Sequence, residues 1–317
     1  MKNRAIKYFI FSFLLITFFA ILTVSASAAE LEHNFDIALG TISGQTQYEI
    51  RGYNADYGAF RSLLEFPLDV EVINLNYQNN FTSKILNIGG IEFDISKNIN
   101  EDAGTFKDSD WLSLSGLATK DIYGTTKTRV DDLTMLDLNL NSGWKPMSYD
   151  LEYTLYIGYK RDDYSITAYD GVQRELTDTS ETTAGTTTKI DGEAIKYEAQ
   201  YEIPYLGAGF KTSSQNNWQI KADIYYSSWV DMEDKDRHLL RENNLVTEGS
   251  GEGNSLLVNA DLSYIISQVS SAFLKIKYNK TEVDGIQYQY SNEGIGIADY
   301  SAEEEYVQYN IGMGFDF

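Results

Sequence analysis

The sequence predicts an all-β protein, specifically a ten-stranded antiparallel transmembrane β-barrel with long extracellular loops. An export leader precedes the body of the chain, apolar and polar residues alternate in ten segments, and the connections between these segments are short and long in turn. Alternation with a period of two places successive side chains on opposite faces of a strand. Tight turns at one end of the strands and long loops at the other end are typical of outer-membrane barrels.

The first 28 residues have the features of a secretory signal peptide. Three basic residues lie within the first seven positions, an apolar run spans 9–24, and small residues occupy 26–28. The alternative is an uncleaved membrane anchor, but the run is shorter than the roughly 20 apolar residues that a spanning helix needs. We therefore expect a signal peptide at 1–28 and one barrel domain at 29–317.

The charge balance of the chain is strongly acidic. Removing the leader takes away three of the 25 basic side chains and none of the 47 acidic ones, which leaves a net charge of −25. A surface of this sign repels nucleic acid and attracts cationic groups, so we expect basic peptides or proteins as partners and no nucleic acid. Cysteine is absent, so no disulfide stabilises the exported chain. The 24 tyrosines suit the aromatic girdles of a membrane barrel.

The ten alternating segments are the predicted strands. In one of them, Leu151, Tyr153 and Leu155 share a face opposite Glu152 and Thr154. The segments lie at 34–52, 60–77, 81–97, 130–142, 149–168, 190–212, 217–232, 254–267, 271–285 and 303–317. Short turns are predicted at 78–80, 142–147, 213–217 and 267–270, and long polar loops at 53–59, 98–129, 169–189, 233–253 and 286–302. An even number of strands places both ends of the chain on one side of the membrane, the periplasmic side.

The last predicted strand indicates the compartment. Apolar residues alternate with polar residues and glycines from Val307 to Phe317, and a final aromatic residue of this kind resembles the assembly signal of outer-membrane barrels. A soluble β-sandwich is the alternative, but it gives no reason for the regular alternation of short and long connections. Pro67 and Pro204 lie inside predicted strands and cannot donate to a strand ladder, so we expect bulges or strand ends there.

A ten-stranded barrel is only slightly wider than the eight-stranded kind, whose interior is filled by side chains. We therefore expect the lower lumen to be filled with polar side chains, and a narrow channel is a less favoured function. Any chemistry should then be found at the extracellular rim, where the long connections converge.

Two acidic motifs lie in predicted rim loops on opposite walls of the barrel. The first is Asp-Ser-Asp-Trp at 108–111, and the second is Asp-Lys-Asp-Arg-His at 234–238. An aspartate–histidine pair facing two carboxylates could hold a water molecule, with the imidazole as general base and its carboxylate fixing the tautomer. Of the two histidines, His33 lies at the periplasmic end and is expected to be a solvated or turn residue. Taken alone, the second motif is better explained as a solvated charge run.

Several motifs together resemble the omptin family of outer-membrane proteases, which are ten-stranded barrels with a mixed aspartate–histidine active site. Leu-Gly-Thr-Ile-Ser-Gly at 39–44 is similar to the family's Leu-Gly-Thr-Leu-Ser-Gly, and the motif at 108–111 is similar to its Asp-x-Asp-Trp. Trp-Val at 229–230 followed by the motif at 234–238 is similar to its Trp-Val and Asp-x-Asp-x-His. Further similarities are Pro-Tyr-Leu-Gly at 204–207 and Tyr-Ser-Ser-Trp at 226–229.

The resemblance implies an aspartic-type endopeptidase that cleaves next to basic residues. Asp236 and His238 would form the dyad that activates water, with Asp108 and Asp110 as the opposing pair. The resemblance also implies substrate-binding roles, which would fall to Asp234, to Asp121, and to Glu49 if one residue is inserted, because without a gap the position falls on Tyr48. The alternative is a catalytically silent adhesin or structural barrel of the same fold.

The resemblance also raises the question of lipid. Family members carry a Tyr-x-Glu-x-Arg cluster that binds lipopolysaccharide phosphate, whereas here Tyr159 is followed by Arg161 and Asp163, and Gln200 replaces a further arginine. Lipopolysaccharide binding is therefore either lost or uses other basic groups such as Lys160 and Arg161. No cofactor is expected, apart from a lipopolysaccharide requirement that the sequence leaves open. A monomer is expected.

Overall fold

A computed structural model describes residues 30–54, 58–82, 88–112, 120–146, 150–176, 184–213, 217–241, 243–292 and 294–317. The predicted signal peptide lies outside the described residues. Within these ranges the chain forms twelve strands: β1 (Glu30–Asn54), β2 (Gly58–Pro67), β3 (Val70–Thr82), β4 (Ile88–Asn98), β5 (Asp102–Leu112), β6 (Ile122–Trp144), β7 (Leu151–Leu176), β8 (Ala184–Ser213), β9 (Trp218–His238), β10 (Val246–Ser267), β11 (Ser270–Ser291) and β12 (Gly294–Asp316). These residues include no helix that is long and apolar enough to cross a membrane.

The strands form one antiparallel sheet that closes on itself through the pairing of β12 with β1. The lower half of β1 pairs with β3 and its upper half with β2. In the same way β6 pairs with β4 below and with β5 above. β2 and β3 are therefore two parts of one barrel strand, and β4 and β5 are two parts of the next. The predicted count of ten is corrected to twelve strand segments. Because β3 and β4 lie only in the lower half and β2 and β5 only in the upper half, ten strands surround the lumen in each half.

Both prolines produce the irregularities that were predicted. Pro67 ends β2, and the chain resumes pairing at Val70 after a short break. Pro204 lies where the register between β8 and β9 shifts, between Glu202 and Leu206. In both places the missing N–H of proline coincides with an interrupted ladder, as expected for a residue that cannot donate.

The predicted long loops are wrong, because most of their residues continue the strands. The region predicted as a loop at 98–129 contains all of β5 and the first residues of β6. In the same way, β9 continues to His238. The alternation fades there because both faces of a strand above the membrane meet polar surroundings. A pattern that depends on one apolar face cannot mark these extensions. Of the predicted short turns, the one at 267–270 is confirmed, with Ser267 opposite Ser270. The predicted turn at 78–80 is wrong, because β3 continues to Thr82.

The outer wall carries an apolar belt around the lower half of the barrel. Its exposed members include Leu39, Phe93, Leu138, Leu155, Leu206, Ile224, Val258, Leu274 and Ile311. On β12 the outward apolar positions extend from Val307 to Phe315. With a rise of about 3.4 Å per residue and strands tilted by about 45°, this stretch covers roughly 20 Å of the about 25 Å of a hydrocarbon core. The belt identifies the part of the barrel that meets lipid.

Inside the belt the lumen is filled with paired polar groups, which confirms the prediction for the lower strands. Lys277 contacts Asp94 at 2.7 Å, and Lys221 lies 3.4 Å from Asp223 and 3.8 Å from Glu92. A second layer above the polar one is apolar and was not predicted. It contains Leu68, Val70, Val130, Leu133, Ile166, Tyr201 and Ile203. The upper layer separates the filled lower lumen from the mouth.

His33 was predicted to be a solvated or turn residue. It lies instead within β1, at the end of the barrel opposite His238. Its ring stacks on Phe317 and Tyr77, with centroid distances of 5.8 and 6.2 Å. Nδ1 lies 2.9 Å from the hydroxyl of Tyr77, and the backbone pairs with that of Phe317. His33 therefore joins the first strand to the last at the lower rim, far from the candidate site.

Candidate active site

Strand β9 carries three candidate residues on one face at the extracellular end of the barrel. Asp234, Asp236 and His238 alternate with outward side chains, so all three point into the lumen. Asp234 and Asp236 are buried, and the His238 side chain is 12% exposed. β10 holds this end of β9 in register, with Thr247 opposite Asp236 and Gly249 opposite Asp234. The last residues of β9 thus form a fixed wall of the mouth.

The second pair of candidate residues comes from β5. Asp108 and Asp110 are half-buried and lie opposite Leu64 and Ser62 of β2. Around the upper ring, β5 lies four strands from β9, nearly across the lumen. This placement agrees with the prediction that the two motifs occupy opposite walls, although they lie on strands and not on loops.

The electrostatics show that the two walls influence each other. Burial raises the pKa of Asp108 well above its usual range, and the charges of Asp110 and Asp236 raise it further. Burial also raises the pKa of Asp110, against which a hydrogen bond from Ser62 and the positive charges of Arg241 and His238 act. The mouth is therefore a single electrostatic unit in which one wall disfavours full ionisation of the other.

Asp236 contacts both the imidazole of His238 and the hydroxyl of a tyrosine. Nε2 of His238 lies 3.4 Å from Oδ2 of Asp236, and the hydroxyl of Tyr48 donates a hydrogen bond to the same oxygen. The other oxygen, Oδ1, is buried without a hydrogen-bond partner among the described residues. Because Nε2 faces the carboxylate, Nδ1 is the ring nitrogen left for another partner.

Asp234 lies deeper than the dyad and accepts three hydrogen bonds. The donors are the hydroxyl of Tyr300, the hydroxyl of Tyr197 at 3.3 Å and the backbone N–H of Gly249 at 2.7 Å. Burial raises the pKa of Asp234 to about 7 in spite of these donors, and the charge of Asp236 adds to the rise. Asp234 can therefore change its charge near neutral pH.

The placement of Glu49 in the substrate pocket is wrong. Glu49 points to the outer wall and forms ion pairs with Arg51 at 2.5 Å and Arg61 at 2.7 Å. Its neighbour Tyr48 points inward and is almost fully buried. A shift of one residue along a strand turns the side chain to the opposite face, so Tyr48 and not Glu49 faces the lumen here.

Asp121 lies beside Asp110 at the start of β6. Its backbone N–H donates to the carbonyl of Asp110 at 2.8 Å, and its carboxylate accepts the N–H of Leu112 at 2.6 Å. The carboxylate thus ties the end of β5 to β6. Its charge acts on Asp110, so Asp121 belongs to the acidic mouth. Its role toward a substrate stays a prediction.

The floor of the mouth is a cluster of aromatic rings that the sequence did not identify as part of the site. Tyr197 stacks on Phe66 with a centroid distance of 4.3 Å, and Tyr48 lies 5.6 Å from Tyr197 and 5.9 Å from Tyr300. The regular alternation at 197–205 marks a buried face but does not show which carboxylates the hydroxyls contact. These rings bury Asp234 and Asp236 and thereby set their surroundings.

The described residues contain no group of three or more histidine, aspartate or glutamate side chains arranged to hold a metal ion. The expectation that no cofactor is needed stays a prediction. What the arrangement provides is a histidine with its carboxylate on one wall of the mouth and two further carboxylates nearly opposite. Such a set of groups can bind and polarise one water molecule.

The fold and the mouth together define an outer-membrane barrel with an acidic aspartate–histidine site at its extracellular end. The family model described as the omptin family matches residues 30–317, and the chain belongs to that family. It is 24% identical over 281 residues to the outer membrane protease OmpP of Escherichia coli strain K12, which covers 84% of this chain and 86% of the relative. It is 22% identical over 298 residues to the outer membrane protease IcsP of Shigella flexneri, covering 89% of each.

A solved structure supports the fold. The crystal structure of the outer membrane protease OmpT from Escherichia coli superposes with a TM-score of 0.78 and covers 92% of this chain and 100% of the other. The two sequences are 19% identical in this superposition, so the likeness concerns the fold. The predicted family, the barrel and its place in the outer membrane are confirmed.

Proposed function

We propose that the chain is an outer-membrane surface endopeptidase that cleaves proteins next to basic residues. The observation that carries the proposal is the placement of the Asp236–His238 pair and the Asp108–Asp110 pair on nearly opposite walls of one mouth, with the charge of Asp236 acting on Asp108. Its membership of a family whose named relatives are outer membrane proteases supports protease function.

The proposed mechanism uses water as the nucleophile. Nδ1 of His238 takes a proton from the water while Asp236 holds the ring through Nε2, and the resulting hydroxide attacks the peptide carbonyl. One member of the aspartate pair on β5 keeps a proton, since the raised pKa values of Asp108 and Asp110 disfavour two negative charges there. That proton can stabilise the oxygen of the tetrahedral intermediate. The imidazolium then protonates the departing amine, which breaks the C–N bond.

Preference for basic substrates follows from the charge of the mouth. Asp108, Asp110, Asp234 and Asp236 face the lumen, and Asp121 adds a carboxylate at the rim. With Glu49 outside, Asp234 is the acidic residue proposed to receive an arginine or lysine side chain, and its raised pKa means that a bound cation would draw it into its charged form. The net charge of −22 for the full chain steers cationic peptides toward this surface.

Lipopolysaccharide is proposed as a lipid partner at the outer wall, through a reduced set of groups. Lys160 is excluded from this role because its side chain is buried in the lumen, where it pairs with Asp162. Arg161 lies on the outer wall, but its guanidinium is bound to Asp163 at 2.8 and 3.0 Å and to Gln200 at 2.9 Å. A lipid phosphate would have to compete with Asp163, so a weak lipid requirement is proposed. A monomer is proposed, since ten neighbouring strands already close the sheet.

The test is cleavage of an internally quenched peptide with an Arg-Arg pair by the refolded barrel, with and without lipopolysaccharide. We expect cleavage at the basic pair and its loss in His238→Ala. The matched control is His33→Ala, which removes the other histidine at the opposite end and should retain activity. If the unaltered barrel and His238→Ala give the same background in both conditions, the silent adhesin is the better interpretation.

A further inference from the structure

The outer wall has a second apolar zone, well above the lipid belt. On β11, Ile286, Tyr288 and Tyr290 point outward, and on β12 so do Ile295 and Ile297. Their exposed fractions lie between 38% and 69%. Tyr288 pairs across the strands with Ile297 and Tyr290 with Ile295, so the five side chains form one continuous surface, here called the upper patch. Exposed apolar surfaces of this kind mark interaction sites.

The upper patch cannot be part of the membrane belt. Between the belt residue Tyr278 and Ile286, the outward positions of β11 are Lys280, Glu282 and Asp284. Eight residues along a tilted strand correspond to roughly 20 Å of height. A charged zone of that height cannot lie in hydrocarbon. The upper patch therefore faces the extracellular medium.

A groove of about 660 Å³ continues from the upper patch across β10, β9, β8 and β7. Tyr288 and Tyr290 form its apolar end, and their rings are stacked at a centroid distance of 6.5 Å. The rest of the groove is lined by five carboxylate residues and one lysine, which are Asp163, Glu198, Glu233, Asp234, Glu248 and Lys235. Lys235 is paired with Glu248 at 2.7 Å and Arg161 with Asp163 at 2.8 Å, and the carboxylates of the groove still outnumber these two cations.

We propose that the upper patch and this groove form a binding site for a polypeptide segment that combines lysine or arginine with aliphatic or aromatic side chains. The tyrosines and isoleucines would hold the apolar side chains, and the carboxylates would hold the cationic ones. A second copy of this chain is disfavoured as the occupant, because a net charge of −22 repels another such copy.

The groove lies directly behind the candidate active site. β9 presents Asp234 and Asp236 to the lumen and Glu233 and Lys235 to the groove, so one strand carries both surfaces. A long substrate could bind the groove with one part and pass over the rim with another. The role of the groove as an exosite for long substrates rests on the proposed protease function. The binding of the basic and apolar peptide segment is independent of that function.

The first experiment measures binding without catalysis. A labelled peptide with lysines on one face and leucines and phenylalanines on the other is titrated onto the full-length refolded His238→Ala barrel, and its fluorescence anisotropy is recorded. The double substitution Tyr288→Ser and Ile297→Ser should weaken binding at least about tenfold, as expected for the loss of two anchor residues. Tyr53→Ser, which removes a tyrosine that is 79% exposed elsewhere on the rim, should leave the affinity unchanged.

The second experiment separates the exosite from the catalytic site. In the active barrel, the double substitution should raise KM for a long basic protein substrate and leave kcat/KM for the short quenched peptide unchanged. Equal peptide affinity in the double variant and in Tyr53→Ser would overturn the proposal. So would a shift from dimer to monomer in the double variant with no peptide binding, since the patch would then bind a second copy. Failure of the protease proposal would instead appear as uncleaved short peptide.

Discussion

The lower lumen and the mouth of the barrel both bury carboxylates, but the two regions differ in the cationic partners of these carboxylates. In the lower lumen acidic groups have lysine partners, as Asp94 has Lys277, Asp162 has Lys160, and Asp261 has Lys275. Four aspartates face the lumen at the mouth, namely Asp108, Asp110, Asp234 and Asp236. Within the described part of the chain, the ion pair among them is the one between Asp236 and His238. Ion pairs with lysine are thus a feature of the lower lumen, and no such pair holds the four inward aspartates in the described part of the mouth.

This contrast separates buried charges that stabilise the barrel from buried charges that are available for function. For a paired buried charge, the attraction to its partner offsets the free energy of desolvation. Removing the partner therefore leaves an uncompensated buried ion. An unpaired carboxylate retains its cost and is available to a cationic ligand or to a proton. The mouth should therefore respond in activity and the lower lumen in stability.

The largest effect is expected at the dyad. Asp236→Asn should lower kcat by roughly 10³- to 10⁴-fold, because the amide no longer stabilises the imidazolium or fixes the tautomer that accepts the water's proton. The free energy of unfolding should change little, since the removal of a desolvated carboxylate offsets the lost contact with His238. Cleavage of the Arg-Arg peptide and denaturant unfolding in detergent give the two values. Near-normal kcat in a folded variant would contradict the role of Asp236.

The lower lumen should show the reverse. Lys160→Met keeps the length of the side chain but leaves Asp162, which is fully buried, without its ammonium partner. We expect a loss of about 3–5 kcal/mol in the free energy of unfolding, measured in detergent micelles. The kcat of any fraction that folds should stay close to that of the unaltered barrel. Lys120→Met, at the rim, is the control, and its effect on stability should be small.

Asp234 predicts how stability depends on pH at the mouth. Its pKa of about 7 in the folded barrel lies above the ordinary value of 3.8, so the folded state binds the proton more tightly. Its contribution is fully present below about pH 4 and is lost as the pH rises through about 7. Asp234→Asn should therefore remove a pH-dependent difference of up to about 4 kcal/mol. Parallel stability curves for the two proteins between pH 4 and 8 would contradict the assignment.

A smaller effect is expected at Tyr48, whose hydroxyl donates a hydrogen bond to the same oxygen of Asp236 that faces His238. Tyr48→Phe keeps the ring in the aromatic floor and removes only the donor, so the fold should be retained. We expect kcat to fall by about tenfold with little change in KM, together with a displaced acid limb of the pH–rate profile. Tyr201→Phe is the matched control, because that hydroxyl contacts Thr46 and not a member of the dyad. An unchanged pH profile in Tyr48→Phe would assign the tyrosine to packing alone.

The sequence predicted the features that one local pattern can encode. Alternation in the belt and the acidic motifs at 108–111 and 234–238 were sufficient to place the barrel and to bring Asp108, Asp110, Asp236 and His238 to one end. Contacts between distant strands left no such pattern. Tyr48 meets Asp236 across 188 positions of sequence, and Tyr300 meets Asp234 across 66, so only the closed sheet shows that these tyrosines belong to the site.

The smallest effect is expected at Glu49, and it tests the register of β1. Glu49→Gln changes a carboxylate that lies on the outer wall between Arg51 and Arg61, so kcat/KM for a basic peptide should change by less than about twofold. Tyr48→Glu, one position away, would instead place a second acid beside Asp236 inside the mouth. It should raise the preference for a basic over a neutral residue at the cleavage site by the attraction of an added carboxylate. If Glu49→Gln abolished that preference while Tyr48→Glu had no effect, β1 would be shifted by one residue, because adjacent positions of a strand face opposite sides of the wall.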